Sequence, residues 1–469
     1  MGATVPVRAH DPDAAAERAS FVRLIVGALL IRLLLLPLSH TWDAQTWINT
    51  FAGLAANANP LDAVRQPYES MRALSLLTQA SGRQGAYYEG WAYPPGMLYL
   101  YWPLATLYGA LGGTFGVVFP AQPAFIAPAV PLALQLAVRL PVLAADLASL
   151  WLLRALGVRF RGLWLYAFNP LVLLVGVWTF DSVAVLCLLL GVWLAERQRW
   201  LLAGSVLGLG AAVKFLPALG LPVLVIAVLR QPLPAGTRAC LALATTGAAA
   251  LTFGLLVSPV WDGLVYVVQF HASRFGGGLS WGQLWATWAQ ADTARGMDWA
   301  PPWQLYASQW LGSLLLPLSL LLGTLALGVR ALPLPAGMLV MLLAFFAGSK
   351  LVNEPYALSA VALATVHRSR LDGARSFAGV YALLWVLPFA YAMLNTPAWS
   401  FLLSGYQILA PGSAPGIGIW TDAYRQVRAL PTAAIPFALL ATAFVFTTVG
   451  AILTLLFARP SAHPHQALA

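Results

Sequence analysis

The chain has 469 residues, of which 60% are hydrophobic and only 9% are charged, and its formal net charge is +10. So few charged side chains cannot cover the surface of a water-soluble domain, so the composition indicates a protein embedded in lipid. The positive charge does not indicate a nucleic-acid-binding protein, because the arginines lie in short segments between apolar runs and form no continuous basic face.

The apolar runs along the chain are candidates for membrane-spanning helices, since one span needs about 20 mostly apolar residues. Short alternating strands, which a membrane barrel requires, are not visible, so we predict an all-α polytopic membrane protein with about twelve transmembrane helices. Irregular pieces around Phe180, Lys214 and Lys350 predict places where the bundle opens into a cavity. The predicted spans are 21–39, 131–153, 162–180, 182–195, 200–213, 216–230, 239–257, 308–329, 333–349, 354–366, 376–394 and 431–457.

Arginines interrupt alternate connections, and the positive-inside rule makes those connections cytoplasmic. The N-terminal tail, residues 1–20, and the C-terminal tail, residues 459–469, are then cytoplasmic as well. The arginines are Arg154, Arg159, Arg161, Arg197, Arg199, Arg230, Arg238, Arg330, Arg368, Arg370 and Arg375.

Three long loops are predicted on the external side. The first is expected to contain two amphipathic helices and a membrane-dipping helix at about 94–118. If this last helix were a full span, Asp43 and Arg154 would lie on the same side of the membrane, against the charge rule. The external loops are residues 40–130, 258–307 and 395–430.

Two isolated lysines indicate an anion-binding site. Lysine and arginine total 26 residues, and only Lys214 and Lys350 are lysines. Both lie at predicted external helix ends, where a compact point charge suits a phosphate at headgroup level. The alternative is that both side chains extend to the membrane interface without a ligand.

Two aspartates follow spans on the same predicted external side. Asp43 comes directly after the first span and Asp181 directly after the third. Carboxylates beside cations can remove a proton from an acceptor hydroxyl while a phosphate leaves, so both are candidate catalytic residues. Helix capping by Asp181, which precedes Ser182, is the alternative for that residue.

The external loop at 258–307 adds a candidate phosphate ligand, Arg274, whose guanidinium can donate a forked pair of hydrogen bonds. The glycines at 276–278 could let backbone amides approach an anion, and a flexible loop with a surface arginine is the alternative. His271 is expected to make a local hydrogen bond. Nearby tryptophans are interpreted as interfacial anchors, with sugar stacking as the alternative: Trp281, Trp285 and Trp288.

Three charged residues lie within predicted spans, Arg32 in the first span and Arg139 and Asp146 in the second. An unpaired charge in hydrocarbon is costly, so we predict that Asp146 neutralises one of the two arginines. Cys187 and Cys240 both lie in apolar runs and predict no disulfide.

Six short motifs follow one another along roughly the first 370 residues. Each occurs in many membrane proteins, but in this order they resemble the GT-C superfamily, and most closely its mannosyltransferase-like branch. GT-C proteins are multi-span glycosyltransferases that take a sugar from a polyprenyl-phosphate carrier on the extracytoplasmic face. The motifs are Trp42-Asp43, Tyr93-Pro94-Pro95-Gly96, Asn169-Pro170, Phe180-Asp181-Ser182, Lys214-Phe215-Leu216-Pro217 and Lys350-Leu351-Val352-Asn353-Glu354-Pro355-Tyr356.

The resemblance implies a GT-C-like catalytic module at 21–370, followed by C-terminal membrane helices at 371–458. It also implies that Asp43 is the acidic base of the first external loop and that Asp181 belongs to a second acidic motif. Substrate contacts are expected from three further motif residues: Tyr93, Glu354 and Tyr356.

The chain departs from the family pattern before Asp181. Relatives often have an additional acid or glutamine there, whereas this chain has Thr179-Phe180, which puts metal binding or acceptor contact by Asp181 in doubt. A carboxylate–histidine cluster with metal-ligand spacing is not visible elsewhere in the sequence. We therefore expect no obligatory metal or other cofactor.

The expected function is an inverting transfer of a hexose, with mannose as the first candidate, from a polyprenyl-phosphate carrier to a glycolipid, glycan or protein acceptor. The expected location is a prokaryotic cytoplasmic membrane, with the active site on the extracytoplasmic face. The alternative is a lipid or sugar transporter or flippase without transferase activity. Transporters tend to have symmetric halves and polar sites at mid-membrane, which this sequence does not show. A non-catalytic scaffold would leave Asp43 and both lysines unexplained.

Overall fold

The structure is a computed structural model that describes residues 12–36, 41–81, 91–115, 131–177, 179–293, 303–371, 375–395, 426–427 and 430–457. Helices form nearly all of the regular structure in these ranges, and the strands among them are two residues long. This confirms the all-α prediction.

The helices follow one another along the chain as α1 (Pro12–Leu35), α2 (Thr41–Ala55), α3 (Pro60–Ser81), α4 (Gly96–Ala110), α5 (Leu132–Ala155), α6 (Phe160–Ala167), α7 (Pro170–Val175), α8 (Asp181–Glu196), α9 (Trp200–Val213), α10 (Leu221–Leu229), α11 (Ala235–Val257), α12 (Trp261–Ser273), α13 (Gly282–Thr293), α14 (Trp303–Val329), α15 (Leu334–Gly348), α16 (Ala357–Arg370), α17 (Arg375–Asn395) and α18 (Ile435–Phe457). Short 3₁₀ turns precede four of them, at Leu216–Gly220, Ser258–Val260, Glu354–Tyr356 and Pro431–Ala434. The strands are β1 (Gly277–Gly278) and β2 (Leu351–Val352), which pair in parallel.

Within the described residues, five helical stretches are long and apolar enough to cross a membrane, as an integral membrane protein requires. α1, the predicted first span, is not one of them, because charged side chains such as Arg18, Arg23 and Arg32 interrupt its apolar run. The five stretches are Leu132–Ala155, Ala235–Ser273, Trp303–Val329, Phe377–Asn395 and Thr432–Phe457, and shorter apolar helices lie at Trp200–Val213, Leu216–Leu229 and Leu334–Gly348.

The helices divide into a buried centre and an apolar periphery. α15 packs against α14, α16 and α18 and is buried along nearly its whole length. On the peripheral helix α14, in contrast, Leu314 is 63% exposed, Leu321 55% and Leu325 57%. A row of exposed leucines is unfavourable in water, so the outer surface is suited to lipid.

The segment predicted as a span at 162–180 is not one continuous helix, because the chain breaks between α6 and α7. Pro170 has no backbone N–H, and the Asn169 side chain caps the new helix by accepting from the amides of Leu171, at 3.0 Å, and Val172, at 3.4 Å. The carbonyl of Ala167 is thereby left without a helical partner. Arg32 Nη1 donates to it at 3.1 Å, so a side chain from α1 completes the break.

The predicted neutralisation of a charge within the spans is confirmed. Arg32 Nε donates to Asp146 Oδ2, and the two side chains are 0% and 2% exposed. Arg139 instead donates to the carbonyl of Leu36 at 2.9 Å. The pair therefore connects α1, α5 and the break after α6 in the interior of the bundle.

The first predicted external loop contains the two expected helices, α2 and α3. The segment 94–118 contains the helix α4, whose 15 residues span about 22 Å at 1.5 Å per residue, less than a bilayer core of about 30 Å. That this helix dips into the membrane stays a prediction. α4 ends in a turn in which Gly112 has a φ of +79°. Residues 116–118 lie outside the described part of the chain.

Candidate functional site

Irregular backbone occurs at all three positions where it was predicted. Phe180 is the N-cap of α8, Lys214 ends α9 in an extended conformation, and Lys350 lies between α15 and β2. At each break the regular hydrogen-bonding pattern of the helix ends. Two of the three breaks meet directly, at Asp181 and Lys214.

Asp181 and Lys214 form a buried ion pair. Lys214 Nζ donates to Asp181 Oδ1 at 2.5 Å, and the side chains are 10% and 3% exposed. Asp181 is the first residue of α8, where the helix dipole favours a carboxylate. The N-cap is Phe180, which makes no side-chain cap hydrogen bond, so the alternative in which Asp181 caps α8 is wrong. Asp181 instead positions the lysine.

Three aromatic rings surround the Lys214 ammonium. Nζ lies 4.4 Å from the ring centroid of Tyr356, 5.7 Å from that of Phe180 and 6.0 Å from that of Tyr93. The negative faces of such rings stabilise a cation where water is excluded. Tyr93, Asp181, Lys214 and Tyr356, which were predicted from separate motifs, therefore lie together.

The Tyr93-Pro94-Pro95-Gly96 motif reaches this cluster because of its glycine. A Cβ atom at Gly96 would lie 2.7 Å from the backbone C and O of Ala212, so only glycine lets the start of α4 approach the end of α9 this closely. The carbonyl of Tyr93 accepts from Tyr68 Oη at 2.6 Å, and its ring packs edge-on against Phe180 at 4.6 Å. The motif thus fixes Tyr93 beside Lys214.

Lys350 and Arg274 form a second cationic group. Lys350 Nζ donates to the carbonyl of Ala272 at 2.6 Å, two residues before Arg274. Burial of the half-exposed ammonium, and secondly the nearby positive charge of Arg274, lower the pKa of Lys350. Two cations that repel each other in this way favour an anion between them.

The expectation that amides of the glycine run bind an anion is wrong for two of them, Gly276 and Gly277, and the amide of Leu279, just after the run, is also engaged. The Gly276 amide donates to Ser308 Oγ at 2.9 Å, that of Gly277 to the Lys350 carbonyl at 2.9 Å, and that of Leu279 to the Val352 carbonyl at 2.7 Å. Gly278 has a φ of +66°, and a Cβ there would lie 2.3 Å from the Val352 oxygen. The glycines therefore serve the pairing of β1 with β2, which holds Lys350 in place.

His271 connects the two cationic groups. Its Nε2 donates to the carbonyl of Ala92 at 2.8 Å, next to Tyr93, so the bond joins residues 179 positions apart and is not the local one predicted. Ala272, the next residue along α12, accepts from Lys350 Nζ at 2.6 Å, and Arg274 follows two residues later. The lysine of the aromatic cluster and the Arg274–Lys350 group therefore belong to one region.

Glu354 lies in the same 3₁₀ turn as Tyr356 but has a different partner. Its Oε1 accepts from Asn395 Nδ2 at 3.2 Å, at the end of α17. The structure therefore brings Tyr356 to Lys214 and pairs Glu354 with the C-terminal helices.

Asp43 lies in the first turn of α2, and its side chain is outside the described part of the structure. Trp47 follows four residues later, on the same helix face, and its ring centroid is 5.2 Å from that of Phe180. Position 43 is therefore one helical turn from a residue that packs against Phe180, the chain neighbour of Asp181. The catalytic role of Asp43 stays a prediction.

Trp47 and Gly96 hold the site together, although the sequence did not single them out as site residues. Signals for both were present: Gly96 follows two prolines at a helix start, and Trp47 stands one turn after Asp43. Among the side chains that the structure describes, no group of three or more His, Cys, Asp and Glu residues is arranged to hold a metal ion.

No protein-family model matches the chain, and no curated protein matches it. The function is therefore inferred from the residues and their geometry.

Proposed function

We propose that this protein is an inverting glycosyltransferase of the GT-C type, with about twelve spans and its catalytic module at residues 21–370. It moves a hexose, with mannose as the first candidate, from a polyprenyl-phosphate carrier to an extracytoplasmic glycolipid, glycan or protein. The observation that supports this most is that hydrogen bonds of His271 and Ala272 join the Lys350–Arg274 group to Tyr93, whose ring lies 6.0 Å from the ammonium of Lys214 in its pair with Asp181.

The cations suit the departure of a phosphate. When the bond between the anomeric carbon and the phosphate oxygen breaks, its electron pair stays on the carrier phosphate, whose negative charge rises. Donors fixed in advance around that charge stabilise the transition state. Lys350 and Arg274 supply two cations, and Lys214 keeps ammonium hydrogens beyond the one that Asp181 accepts within the described residues.

The second half of the reaction needs a base. The acceptor hydroxyl oxygen attacks the anomeric carbon from the face opposite the phosphate, which inverts the configuration, and its proton passes to a carboxylate. Asp181 is buried and already paired with Lys214, so we assign it to positioning that lysine. We assign the base to Asp43, one turn before Trp47.

The alternative function is a lipid or sugar transporter or flippase. The helix break between α6 and α7 favours it, because transporters bind substrates at broken helices. In this chain, however, Arg32 donates to the freed Ala167 carbonyl and pairs with Asp146, so the described break is filled by protein. A transporter would move the carrier lipid intact, whereas a transferase cleaves it.

The test uses the purified full-length chain in lipid nanodiscs with a panel of polyprenyl-phosphate sugars and acceptors, and it follows release of polyprenyl phosphate. A general base contributes about 10²–10⁴-fold in rate. Asp43→Asn should therefore bind the donor normally, and its transfer rate should fall by at least about 10²-fold. Glu17→Gln, which changes a 69% exposed acid on α1, is the control and should keep full activity. Near-wild-type transfer by Asp43→Asn would remove the assignment and make Asp181 the next candidate.

The proposal also requires one topology. Single cysteines introduced at positions 43 and 197, in a chain without Cys187 and Cys240, should react with an impermeant reagent from opposite faces of the membrane. Labelling of both from the same face would contradict the membrane-dipping interpretation of α4 and the external site.

A further inference from the structure

A polar cleft of about 700 Å³ lies between α3 and the start of α12, outside the cluster described above. This volume is within the range of small-molecule sites, about 300–1,000 Å³. Its charged and hydrogen-bonding walls come from both helices: Arg65, Glu69 and Arg72 on α3, and Trp261, Asp262 and Gln269 on α12.

The cleft is built by two facing helices. Arg65, Glu69 and Arg72 are spaced four and three residues apart, so they lie on one face of α3. Arg65 Nε donates to the carbonyl of Pro259 at 3.0 Å, just before α12. A Cβ at Gly263 would lie 2.4 Å from that of Tyr68, so the two helices also touch along one side. The polar faces are therefore held at a fixed separation.

The chemistry of the walls suits a neutral ligand rich in hydroxyl groups. Two arginines donate hydrogen bonds and two carboxylates, Glu69 and Asp262, accept them, so the four charges cancel. Trp261 is 60% exposed and offers a flat ring to the C–H face of a sugar. A site for an anion would have more cations than carboxylates in its walls, as the group of Lys350 and Arg274 has.

The cleft adjoins the cationic region along both walls. Tyr68 lines the cleft and its hydroxyl donates to the carbonyl of Tyr93 at 2.6 Å. On the other wall, Gln269 lines the cleft and Ala272, three residues or about 4.5 Å further along α12, accepts from Lys350 Nζ. A ligand in the cleft would thus end close to the proposed phosphate site.

We infer that the cleft between α3 and α12 binds a neutral, hydroxyl-rich saccharide. Naming this saccharide as the acceptor of the transferred hexose rests on the proposed function. Binding of the saccharide itself does not, because the cleft is complete without a donor.

The test measures binding of methyl α-mannoside, α-mannobiose and maltotriose to the full chain in nanodiscs, by saturation-transfer NMR and calorimetry without any donor. The isosteric Glu69→Gln should weaken binding of the preferred saccharide by about tenfold or more, the size expected for losing a charged hydrogen bond. Trp261→Ala should weaken it by about tenfold, because it removes the ring that packs on the C–H face of the sugar. Trp310→Ala, which changes an 81% exposed tryptophan on α14, is the control and should leave binding unchanged.

The outcomes separate the two proposals. Absence of saccharide binding by the wild type, or equal binding by all variants, overturns the cleft inference and leaves Trp261 as an interfacial anchor. Saccharide binding that is lost in Trp261→Ala and Glu69→Gln, in a protein that never releases polyprenyl phosphate, supports the cleft and contradicts only the transferase proposal.

Discussion

Two buried ion pairs in this molecule have the same net charge and different surroundings. In the Arg32–Asp146 pair, the guanidinium also donates to the carbonyls of Ala28, at 3.0 Å, and Ala167, at 3.1 Å. In the Lys214–Asp181 pair, the ammonium has one carboxylate partner among the described residues and three rings around it. Nε and Nη1 of the arginine are committed to protein acceptors, while its buried Nη2 has none among the described residues. The lysine instead keeps a compact point charge at a break between helices. This difference distinguishes a structural pair from one that can serve a ligand.

The largest effect is expected for the pair inside the bundle. Arg32→Met leaves Asp146 buried without its cation and removes the donor to Ala167, so the free energy of unfolding should fall by about 3–5 kcal/mol. The double variant Arg32→Met/Asp146→Leu should recover most of that loss. Thermal unfolding in detergent measures both, and Arg23→Met, at an exposed site on α1, is the control. A loss equal to that of the control would contradict a structural role for the pair.

Lys214→Met tests whether the Lys214–Asp181 pair serves donor binding as well as stability. Loss of a charged hydrogen bond in a nearly buried site should lower the free energy of unfolding by about 1.5–3 kcal/mol and weaken donor binding. The double variant Asp181→Asn/Lys214→Met should regain stability without regaining donor affinity. Arg32→Met/Asp146→Leu should bind the donor normally. Equal donor affinity in both double variants would mean that the Lys214–Asp181 pair contributes no more to donor binding than the Arg32–Asp146 pair.

Gly278→Ala tests whether the position of Lys350 depends on the pairing of β1 with β2. Neither ion pair relies on such backbone pairing. A non-glycine residue at φ +66°, with its Cβ 2.3 Å from the Val352 oxygen, should cost about 1–3 kcal/mol and displace Lys350. Donor affinity, measured by titration into nanodiscs, should fall with it. Gly254→Ala, in α11 with nothing near the added methyl group, should be neutral or stabilising. Unchanged donor affinity in Gly278→Ala would show that donor binding by Lys350 does not depend on the pairing of β1 with β2.

The smallest effect concerns pH. Lys350, unlike Lys214, has a backbone carbonyl as its described acceptor, and burial together with Arg274 lowers its pKa. The protonated form is the one that attracts a phosphate, so donor affinity should fall as the pH rises through this lowered pKa. The loss should be about 0.2–1 kcal/mol, as for a partly exposed ion pair. Binding isotherms between neutral and alkaline pH measure it, and Lys350→Arg should abolish the transition. The same pH dependence in that variant would assign it to another group.

Most helices could be predicted from the sequence, because arginines and prolines bound apolar runs of defined length. The predicted span 200–213 coincides with α9, and 333–349 differs from α15 by one residue at each end. The segment predicted as a span at 162–180 is two short helices in the structure, because Asn169-Pro170 interrupts its apolar run. There the local capping geometry prevailed over hydropathy.

The residue types of the candidate site were also visible in the sequence, as rare lysines and aspartates at helix ends. Their partners were only partly visible. α8 and α9 are consecutive packed helices, so the start of one, at Asp181, lies beside the end of the other, at Lys214. The sequence placed both residues on one side but did not identify them as a pair.

Composition and local order are enough to predict the all-α class, the apolar helices suited to a membrane, and a short list of ionisable candidates for the site. Which of those charges meet depends on the tertiary fold. Lys350 is held by hydrogen bonds from residues about 70 positions earlier in the chain, and Arg32 completes a helix break 135 residues away. Such contacts arise from long-range packing of whole helices, which local patterns do not encode.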